Sequence, residues 1–186
     1  MKTTRCAWAQ TEPNLSYHDT EWGVPHHDDR ALFELISLEG AQAGLSWRTV
    51  LARREAYRKA FHEFDIARAA RMSDAELEEV LTGSGVIRHR RKIWSVRDNA
   101  TTALAVIKEH GSLDAWLWSF VDGKPIVNRW RSPDLVPATT EISDRMSKAL
   151  RKQGFRFMGS TICYAFMQAT GMVNDHLATC DCKGSS

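Results

Sequence analysis

The spacing of apolar residues is the feature of this sequence that most restricts its fold. From about Ala31 to Gly171, apolar residues recur at intervals of three and four, as on one face of an α-helix. Alternating apolar and polar runs, the pattern of a strand, are nearly absent. The sequence therefore predicts an all-α fold, with helices at about 29–42, 46–63, 73–82, 88–110, 112–120, 141–153 and 158–171.

Local signals support several of these helices. Ser73 and Glu76 have the spacing of a capping box, and Ser46 is a candidate N-cap, with Leu45 and Val50 placed to form a hydrophobic staple. Residues 121–140 contain scattered Pro and Gly, which predicts a long irregular connection.

Composition limits the class of protein. With 186 residues, 43% of them hydrophobic, the chain can form one cored domain, or two small lobes that share an interface. No apolar run reaches the roughly 20 residues of a membrane span, and the N-terminus lacks the apolar region of an export signal. We therefore expect a single soluble, cytoplasmic domain without a membrane partner, and a monomer by default at this size.

Neither the cysteine content nor the net charge determines the class of protein or its partner. Four cysteines could form two disulfides, but a reducing compartment and an adequate core favour metal-binding or core roles. The net charge of +2 is too small to indicate a nucleic-acid partner. Any such partner must be inferred from where the charges lie.

The segment from Ser16 to Asp29, SYHDTEWGVPHHDD, combines Tyr, Trp, His and acidic residues without helical or strand periodicity. Such segments are typical of loops, and loops with this mixture often carry chemistry.

Glu39 is a carboxylate on a predicted apolar face. It shares the helical register of Leu32, Leu35 and Ile36, whereas Glu34 is out of that register and is expected to reach solvent. A buried carboxylate costs several kcal/mol unless it is paired. Taken alone, an internal salt bridge or a bond to a backbone amide explains Glu39 better than a catalytic role does.

The residues after Glu39 favour a binding site. Gly44 can end its helix and Trp47 begins the next, so a carboxylate and a large aromatic ring meet across one tight turn. This pair suits a flat heterocycle, although Trp47 could also be an ordinary core residue.

A basic glycine-containing turn lies in LTGSGVIRHRRKI. Gly83 and Gly85 separate two predicted helices, and the second helix begins with cations, which the helix dipole disfavours: Arg88, Arg90, Arg91 and Lys92. Glycine allows backbone N–H groups to approach a phosphate closely. The pattern, over about residues 73–110, is that of a helix-hairpin-helix motif, which binds the DNA backbone. The alternative is a solvated Arg-rich turn.

Metal-ligand side chains lie at both ends of the chain. Cys6 and His18 form one pair, and His176 and Cys180, four residues apart, form another, so together they predict a tetrahedral zinc site that joins the termini. Four protein ligands leave no open position, so this zinc would be structural. Cys182 is an alternative ligand, and Cys163, in an apolar run, is predicted to lie in the core.

Taken together, these residues resemble one family, the 3-methyladenine DNA glycosylases of type I. The resemblance extends from about Arg5 to Cys182 and rests on motifs in the family order: RCAW, YHDTEWGVP, LFELISLEGAQAGLSWRTVL, IRHRRKI, SKALRKQGF, STICYAFMQATG and VNDH. It implies a zinc-containing helix-hairpin-helix enzyme of alkylation repair, which acts on double-stranded DNA containing 3-methyladenine and leaves an abasic site.

The resemblance also implies residue roles. Glu39 would be the catalytic, base-recognising acid; Tyr17, Trp22 and Trp47 would contact the extruded base; and Cys6, His18, His176 and Cys180 would bind zinc. The glycine turn and the cations that follow it predict the DNA contacts: Gly83, Gly85, Arg88, Arg90 and Lys92. Two positions depart from the family pattern, Asn14 in place of an aromatic residue and Ala165 in place of Ser.

Two other functions fit parts of the pattern. A zinc hydrolase or deaminase is disfavoured because neither H-E-x-x-H nor P-C-x-x-C is present. A non-catalytic, zinc-stapled nucleic-acid-binding module remains the alternative, with Glu39 as a satisfied core acid.

Overall fold

The computed structural model describes residues 4–83 and 85–184. Within them the chain forms ten α-helices: α1 (Asn14–Thr20), α2 (Asp29–Gln42), α3 (Trp47–Leu51), α4 (Arg54–Ala60), α5 (Ile66–Ala70), α6 (Asp74–Gly83), α7 (Arg90–His110), α8 (Leu113–Trp118), α9 (Glu141–Gln153) and α10 (Ser160–Ala169). Among these described helices, none has the length and apolar character needed to cross a membrane.

The core forms around α2, whose residues from Leu32 to Ala41 are all buried. The 21-residue α7 packs against α2, α5, α6 and α8, while α10 packs against α2 and α9. Burial of α2 on nearly all sides is why its polar residues cannot reach water.

Most of the predicted helices are confirmed. The bounds of α2 and α9 agree with the prediction, and those of α6, α7, α8 and α10 agree to within two residues. Ser73 accepts a hydrogen bond from the backbone N–H of Glu76 at 3.2 Å, and the carboxylate of Glu76 accepts one from the backbone N–H of Ser73 at 2.7 Å. Ser46 caps α3 by accepting a hydrogen bond from the backbone N–H of Thr49.

The prediction of one helix over 46–63 is wrong. The chain breaks between α3 and α4, and residues 62–64 adopt a left-handed turn with φ of 54–56°. Neither Gly nor Pro marks either place. Tertiary contacts override the local pattern: Arg54, just after the break, binds Glu21 and Glu34, and Arg30 donates to the backbone carbonyl of His62.

The prediction that residues 16–29 form a loop is wrong for its first part, which lies in α1. The buried residues of α1 are Tyr17 and His18, so this helix has no aliphatic face for periodicity to detect. The connection at 121–140 is irregular as predicted, except for short 3₁₀ turns and for β1 (Ile126–Val127), which pairs in parallel with β2 (Val173–Asn174).

Lys92 is buried, although it was predicted to contact DNA. Its Nζ donates to the backbone carbonyls of Ala41 at 2.8 Å and Ala43 at 2.6 Å. The assignment of Lys92 to a DNA phosphate is therefore wrong for this structure. The ammonium group instead satisfies carbonyls at the end of α2, where helices lack internal donors, and joins α7 to α2.

We predict that Lys92→Met lowers the free energy of unfolding by about 1–3 kcal/mol, because two carbonyls near the end of α2 lose their donor. Methionine retains the apolar stem of the lysine side chain. The measurement is urea unfolding, with Lys108→Met, an exposed position on the same helix, as the control. A loss of DNA affinity without loss of stability would show that Lys92 contacts DNA after all.

Candidate active site

A cavity of about 540 Å³ lies between α1, the end of α2 and the start of α3. All four side chains predicted to contact a base line it: Tyr17, Trp22, Glu39 and Trp47. Gly44 turns the chain between α2 and α3 with a φ of 77°, a conformation that glycine adopts without steric cost. The turn brings the acid of one helix and the aromatic ring of the next into the same cavity.

The carboxyl group of Glu39 is buried, with 2% of the residue exposed. Among the described residues it forms no hydrogen bond or ion pair, and its Oε2 atom is fully buried. Burial raises the pKa of Glu39 from 4.5 to about 8. The expectation that favoured an internal salt bridge or backbone bond is therefore wrong, and an unsatisfied acid of this kind is a strong candidate for ligand recognition.

Aromatic rings surround this acid. The rings of Tyr17 and Trp47 contact each other at 5.3 Å between centroids with a tilt of 55°. A base stacked between two rings needs about 3.5 Å on each side, or about 7 Å in all. The two rings must therefore separate or turn before they can hold a base between them.

Three more polar atoms of cavity residues are buried without a partner in the described chain: Tyr17 OH, Trp47 Nε1 and Asn14 Oδ1. The amide of Asn14 donates from Nδ2 to the backbone carbonyl of Trp8 at 3.2 Å, which leaves Oδ1 as a free acceptor. Burial, followed by the charge of Glu39, raises the pKa of Tyr17 well above 10, so its hydroxyl stays protonated. The cavity thus offers both donors and acceptors to a heterocycle.

Several cavity residues were missed from the sequence. Trp8 packs edge-on against Trp22 at 5.0 Å, and Pro133 and Val136 form part of the wall. Trp8 lies in the quoted RCAW motif beside a predicted metal ligand, which was a usable signal, whereas nothing in the irregular connection marks Pro133 or Val136. Both departures from the family pattern, Asn14 and Ala165, also line the cavity.

Asp175 is a second buried acid at the cavity wall, and it was not predicted. Unlike Glu39, its carboxylate is fully satisfied by neutral donors at 2.6–2.8 Å: Asn128 Nδ2, Trp130 Nε1, Tyr164 OH and Gln168 Nε2. These donors come from the connection after β1 and from α10. Asp175 therefore fixes the connection that carries Pro133 and Val136 against α10.

Glu34 is buried, contrary to the expectation that it reaches solvent. Its carboxylate binds Arg54 at 2.6 Å and Arg58 at 2.9 Å, and Arg54 also binds Glu21 at 2.7 Å. The two arginines lie on α4, some distance along the chain, so their contact with Glu34 could not be deduced from helical register. This network fixes α4 and the residue before Trp22 against α2.

A cluster of metal-ligand side chains lies beside the cavity. Ligand atoms of His18, His176, Cys180 and Cys182 all lie within 4.8 Å of one another. Cys6 is buried, and its thiol interacts with that of Cys180. The cluster thus contains three of the four predicted ligands, His18, His176 and Cys180, together with the alternative, Cys182. The fourth predicted ligand, Cys6, is not part of this cluster but interacts with one of its members, Cys180.

The donor set fits a tetrahedral zinc ion. His18 Nδ1 pairs with Asp19 at 2.8 Å and His176 Nδ1 with Asn174 at 3.1 Å, which leaves the Nε2 atom of each ring for a metal. His176 Nε2 is buried without a partner among the described residues. Histidines that bind metals are usually oriented by such partners.

Trp22 connects this cluster to the cavity. Its ring stacks on His18 at 5.9 Å and contacts His176 edge-on at 4.6 Å, while it also lines the cavity. Gly23 follows with a φ of 79°, and a Cβ there would lie 2.9 Å from the His176 ring. The histidines therefore support the wall that Trp22 forms.

The glycine turn separates α6 and α7 as predicted, with Gly83 ending α6 and Gly85 at a φ of 78°. Ser84, between them, lies outside the described residues. Arg88 and Arg90 are exposed on the far side of the turn. Arg90 pairs with Glu78 and lies over the ring of Trp94 at 4.6 Å.

Comparisons by sequence and by structure all match this chain to the same family. Residues 8–183 match the methyladenine glycosylase family. The chain is 50% identical to DNA-3-methyladenine glycosylase of Haemophilus influenzae, over 98% of this chain and all of that protein, and 47% identical to DNA-3-methyladenine glycosylase 1 of Escherichia coli, over 96% of each. The solved structure of 3-methyladenine DNA glycosylase I from Staphylococcus aureus, described as the structural basis of 3-methyladenine recognition, superposes with a TM-score of 0.93 at 34% identity, over 96% of each chain.

We predict that Glu39→Gln raises stability at alkaline pH. Because the pKa of Glu39 is raised to about 8 in the folded protein, the folded state binds this proton more tightly than the unfolded chain does. The proton on Glu39 contributes fully to the free energy of unfolding below about pH 4.5. This contribution, up to about 5 kcal/mol, is lost as the pH rises to about 8. Glutamine cannot ionise, so the variant does not lose it.

The measurement is the free energy of unfolding of both proteins from about pH 5 to about pH 9, with Glu79→Gln, at an exposed position, as the control. The difference between Glu39→Gln and the unmodified chain should grow with pH. A difference that is constant over this range would show that Glu39 ionises normally.

Proposed function

The chain belongs to the methyladenine glycosylase family, and on that basis we propose that it removes 3-methyladenine from alkylated double-stranded DNA by hydrolysing the N-glycosidic bond. The observation that carries this proposal is the buried carboxyl group of Glu39, which has no partner among residues 4–83 and 85–184 and lies in a cavity lined by aromatic rings. Relatives that match nearly the whole chain and are named for this activity support it.

The charge of the substrate explains why little catalytic machinery is needed. Adenine methylated at N3 is cationic while it is attached to the sugar, so it leaves as a neutral base and requires less acid assistance than a normal base. Water attacks C1′ of the sugar, and the products are free 3-methyladenine and an abasic site. The cavity wall contains no lysine among the described residues, which agrees with a glycosylase that does not cleave the strand through a Schiff base.

Glu39 recognises the base through its exocyclic amine. A carboxylate accepts hydrogen bonds from the N6 amino group of adenine and is repelled by the carbonyl that guanine carries at the equivalent position. The cationic substrate also favours the ionised form of Glu39. Tyr17 and Trp47 stack on the base once their rings separate, and stacking on aromatic side chains contributes roughly 1–3 kcal/mol per base in single-strand binding.

DNA reaches this cavity by extrusion of the damaged nucleotide. The backbone at Gly83 and Gly85 and the side chains of Arg88 and Arg90 hold the phosphates next to it, as a helix-hairpin-helix motif does. Extrusion costs a few kcal/mol and less at a damaged base. The cavity is formed within one chain, so we propose a monomer that acts in the cytoplasm, where bacterial DNA lies.

Zinc, when bound, supplies structural stability and no chemistry. Cys6, His18, His176 and Cys180 would hold it, and four protein ligands leave no position for water. The ion would join the segment before α1 to the segment after β2 and fix the histidines that support Trp22. This role disfavours a zinc hydrolase or deaminase. A non-catalytic binding module is also disfavoured, because a merely structural Glu39 should be paired.

We predict that Glu39→Gln weakens binding of free 3-methyladenine by about 10- to 100-fold, the loss expected when a hydrogen bond to a charged group becomes neutral. Excision from methylated duplex should fall by at least as much, while affinity for undamaged DNA should change little. Fluorescence titration with the free base, single-turnover base release and DNA anisotropy measure the three quantities.

Glu79→Gln, at an exposed position on α6, is the control and should change none of them. Unchanged base binding and turnover in Glu39→Gln would remove this residue from the site and favour the binding-module alternative.

A separate prediction concerns whether Cys6 or Cys182 is the fourth ligand of the proposed zinc site. Cys6→Ser should lower the zinc content of purified protein and its melting temperature, whereas Cys182→Ser should retain the ion. Elemental analysis and thermal melting measure both, with Cys163→Ala as a core cysteine remote from the predicted set. Zinc retained in Cys6→Ser but lost in Cys182→Ser would assign the fourth position to Cys182, whose thiol lies in the close cluster.

A further inference from the structure

A second cleft, of about 490 Å³, lies at the start of α7 and shares no residue with the base cavity. We call it the α7 cleft. Its lining comes from two places far apart in the sequence, the first turns of α7 and the turn between α9 and α10: Arg90, Arg91, Trp94, Asp98, Arg156 and Phe157. Three guanidinium groups therefore face one carboxylate and two aromatic rings.

The arginines of the α7 cleft are available to a ligand. Arg91 is exposed and has no side-chain hydrogen bond or ion pair among the described residues. Arg156 is mostly exposed, and its Nε pairs with Asp98 at 3.0 Å, which leaves its other donors free. Exposed ion pairs of this kind contribute little energy, so an anionic ligand can compete for Arg156.

The turn that carries Arg156 is held in a fixed shape. Asn99 is a buried residue of α7 that uses its whole side-chain amide on the backbone of Arg156: Oδ1 accepts from the N–H at 2.8 Å and Nδ2 donates to the carbonyl at 3.2 Å. Phe157 has a φ of 60°, an uncommon conformation for a residue with a side chain. Ser147 donates to the backbone carbonyl of Met158, which fixes the end of the turn.

The positive φ of Phe157 costs conformational energy, and a connection between two helices does not in general require such a conformation. Strained, fixed backbone of this kind is common where a side chain must be presented to a ligand. The two residues presented here are an arginine and a partly exposed aromatic residue, the types that bind phosphate and stack on bases.

The α7 cleft is also connected to the helix that carries Glu39. The Cα of Gly40 lies against Phe157, so that a Cβ at residue 40 would be 3.4 Å from the Cβ of Phe157. Lys92, beside Arg91 on α7, binds the carbonyls of Ala41 and Ala43 at the end of α2. A DNA strand that enters the base cavity at this end of α2 therefore has the α7 cleft as its neighbour.

We propose that the α7 cleft binds a DNA phosphate through Arg91 and Arg156, as a second backbone contact besides the glycine turn. The inference rests on the proposed function, since it takes DNA as the partner. It assigns a binding role to the turn between α9 and α10, which is remote in sequence from the motif that precedes α7. Arg156 recognises the phosphate and Asn99 positions Arg156.

Salt dependence of DNA binding tests this proposal, because each lost phosphate contact reduces the slope of log K against log salt by about 1. We expect this reduction for Arg91→Ala and for Arg156→Ala, and about twice as much for the double variant. The ligand is undamaged duplex DNA, so the result does not depend on excision. Binding of free 3-methyladenine should stay within two-fold of the unmodified chain, which also shows that the variants are folded.

Lys108→Ala is the matched control, since it removes a cation from the exposed side of the same helix about 25 Å from Arg91. Asp98→Asn is the second variant: it removes the competitor for Arg156, and we expect tighter DNA binding. A slope that is unchanged in the double variant, or reduced equally in Lys108→Ala, overturns the proposal. If the slopes fall as expected in these variants but the unmodified chain releases no base, the result contradicts the proposed function and not the phosphate site.

Discussion

The rest of the site depends on one constraint: the Glu39 carboxyl group is buried without a partner in the described part of the chain. A carboxyl group in this position raises the free energy of the folded protein, and its pKa of about 8 records that cost. Such a group persists only if packing elsewhere fixes the helix that carries it. The nearly complete burial of α2 and the hydrogen bonds from Lys92 to its terminal carbonyls provide this rigidity. The cavity therefore presents an unsatisfied acid on a well-supported helix.

The two buried acids of the cavity show how environment sets their roles. Asp175 accepts hydrogen bonds from four neutral donors and joins the connection after β1 to α10, so it has no capacity left for a ligand. Glu39 accepts none from the described residues, so a group that enters the cavity is the partner left to it. A cationic base with an exocyclic amine would bring a positive charge and N–H donors to the Glu39 carboxylate. On the proposed function, a neutral base with a carbonyl at that position would lack both.

Much of this site could be predicted from the sequence because its main elements are local. Glu39 was found by helical register, Ser46 by its cap spacing, and the glycine turn by composition. The rest depends on contacts between distant segments. Glu34 pairs with arginines of α4, and Lys92 caps α2. These contacts join residues about 20 to 50 positions apart, and the spacing of apolar residues cannot predict them. Helix α1 was missed because its buried residues, Tyr17 and His18, are not aliphatic.

The measurement that tests this account most directly is the release of bases from methylated duplex DNA by the folded, zinc-loaded protein, analysed by chromatography against 3-methyladenine, 3-methylguanine and 7-methylguanine standards. The account predicts release of 3-methyladenine in large excess over both guanine adducts, because adenine carries an amine at position 6 where guanine carries a carbonyl. Release of 3-methylguanine at a comparable rate would contradict recognition through this carboxylate. No release of any base would contradict the glycosylase activity itself.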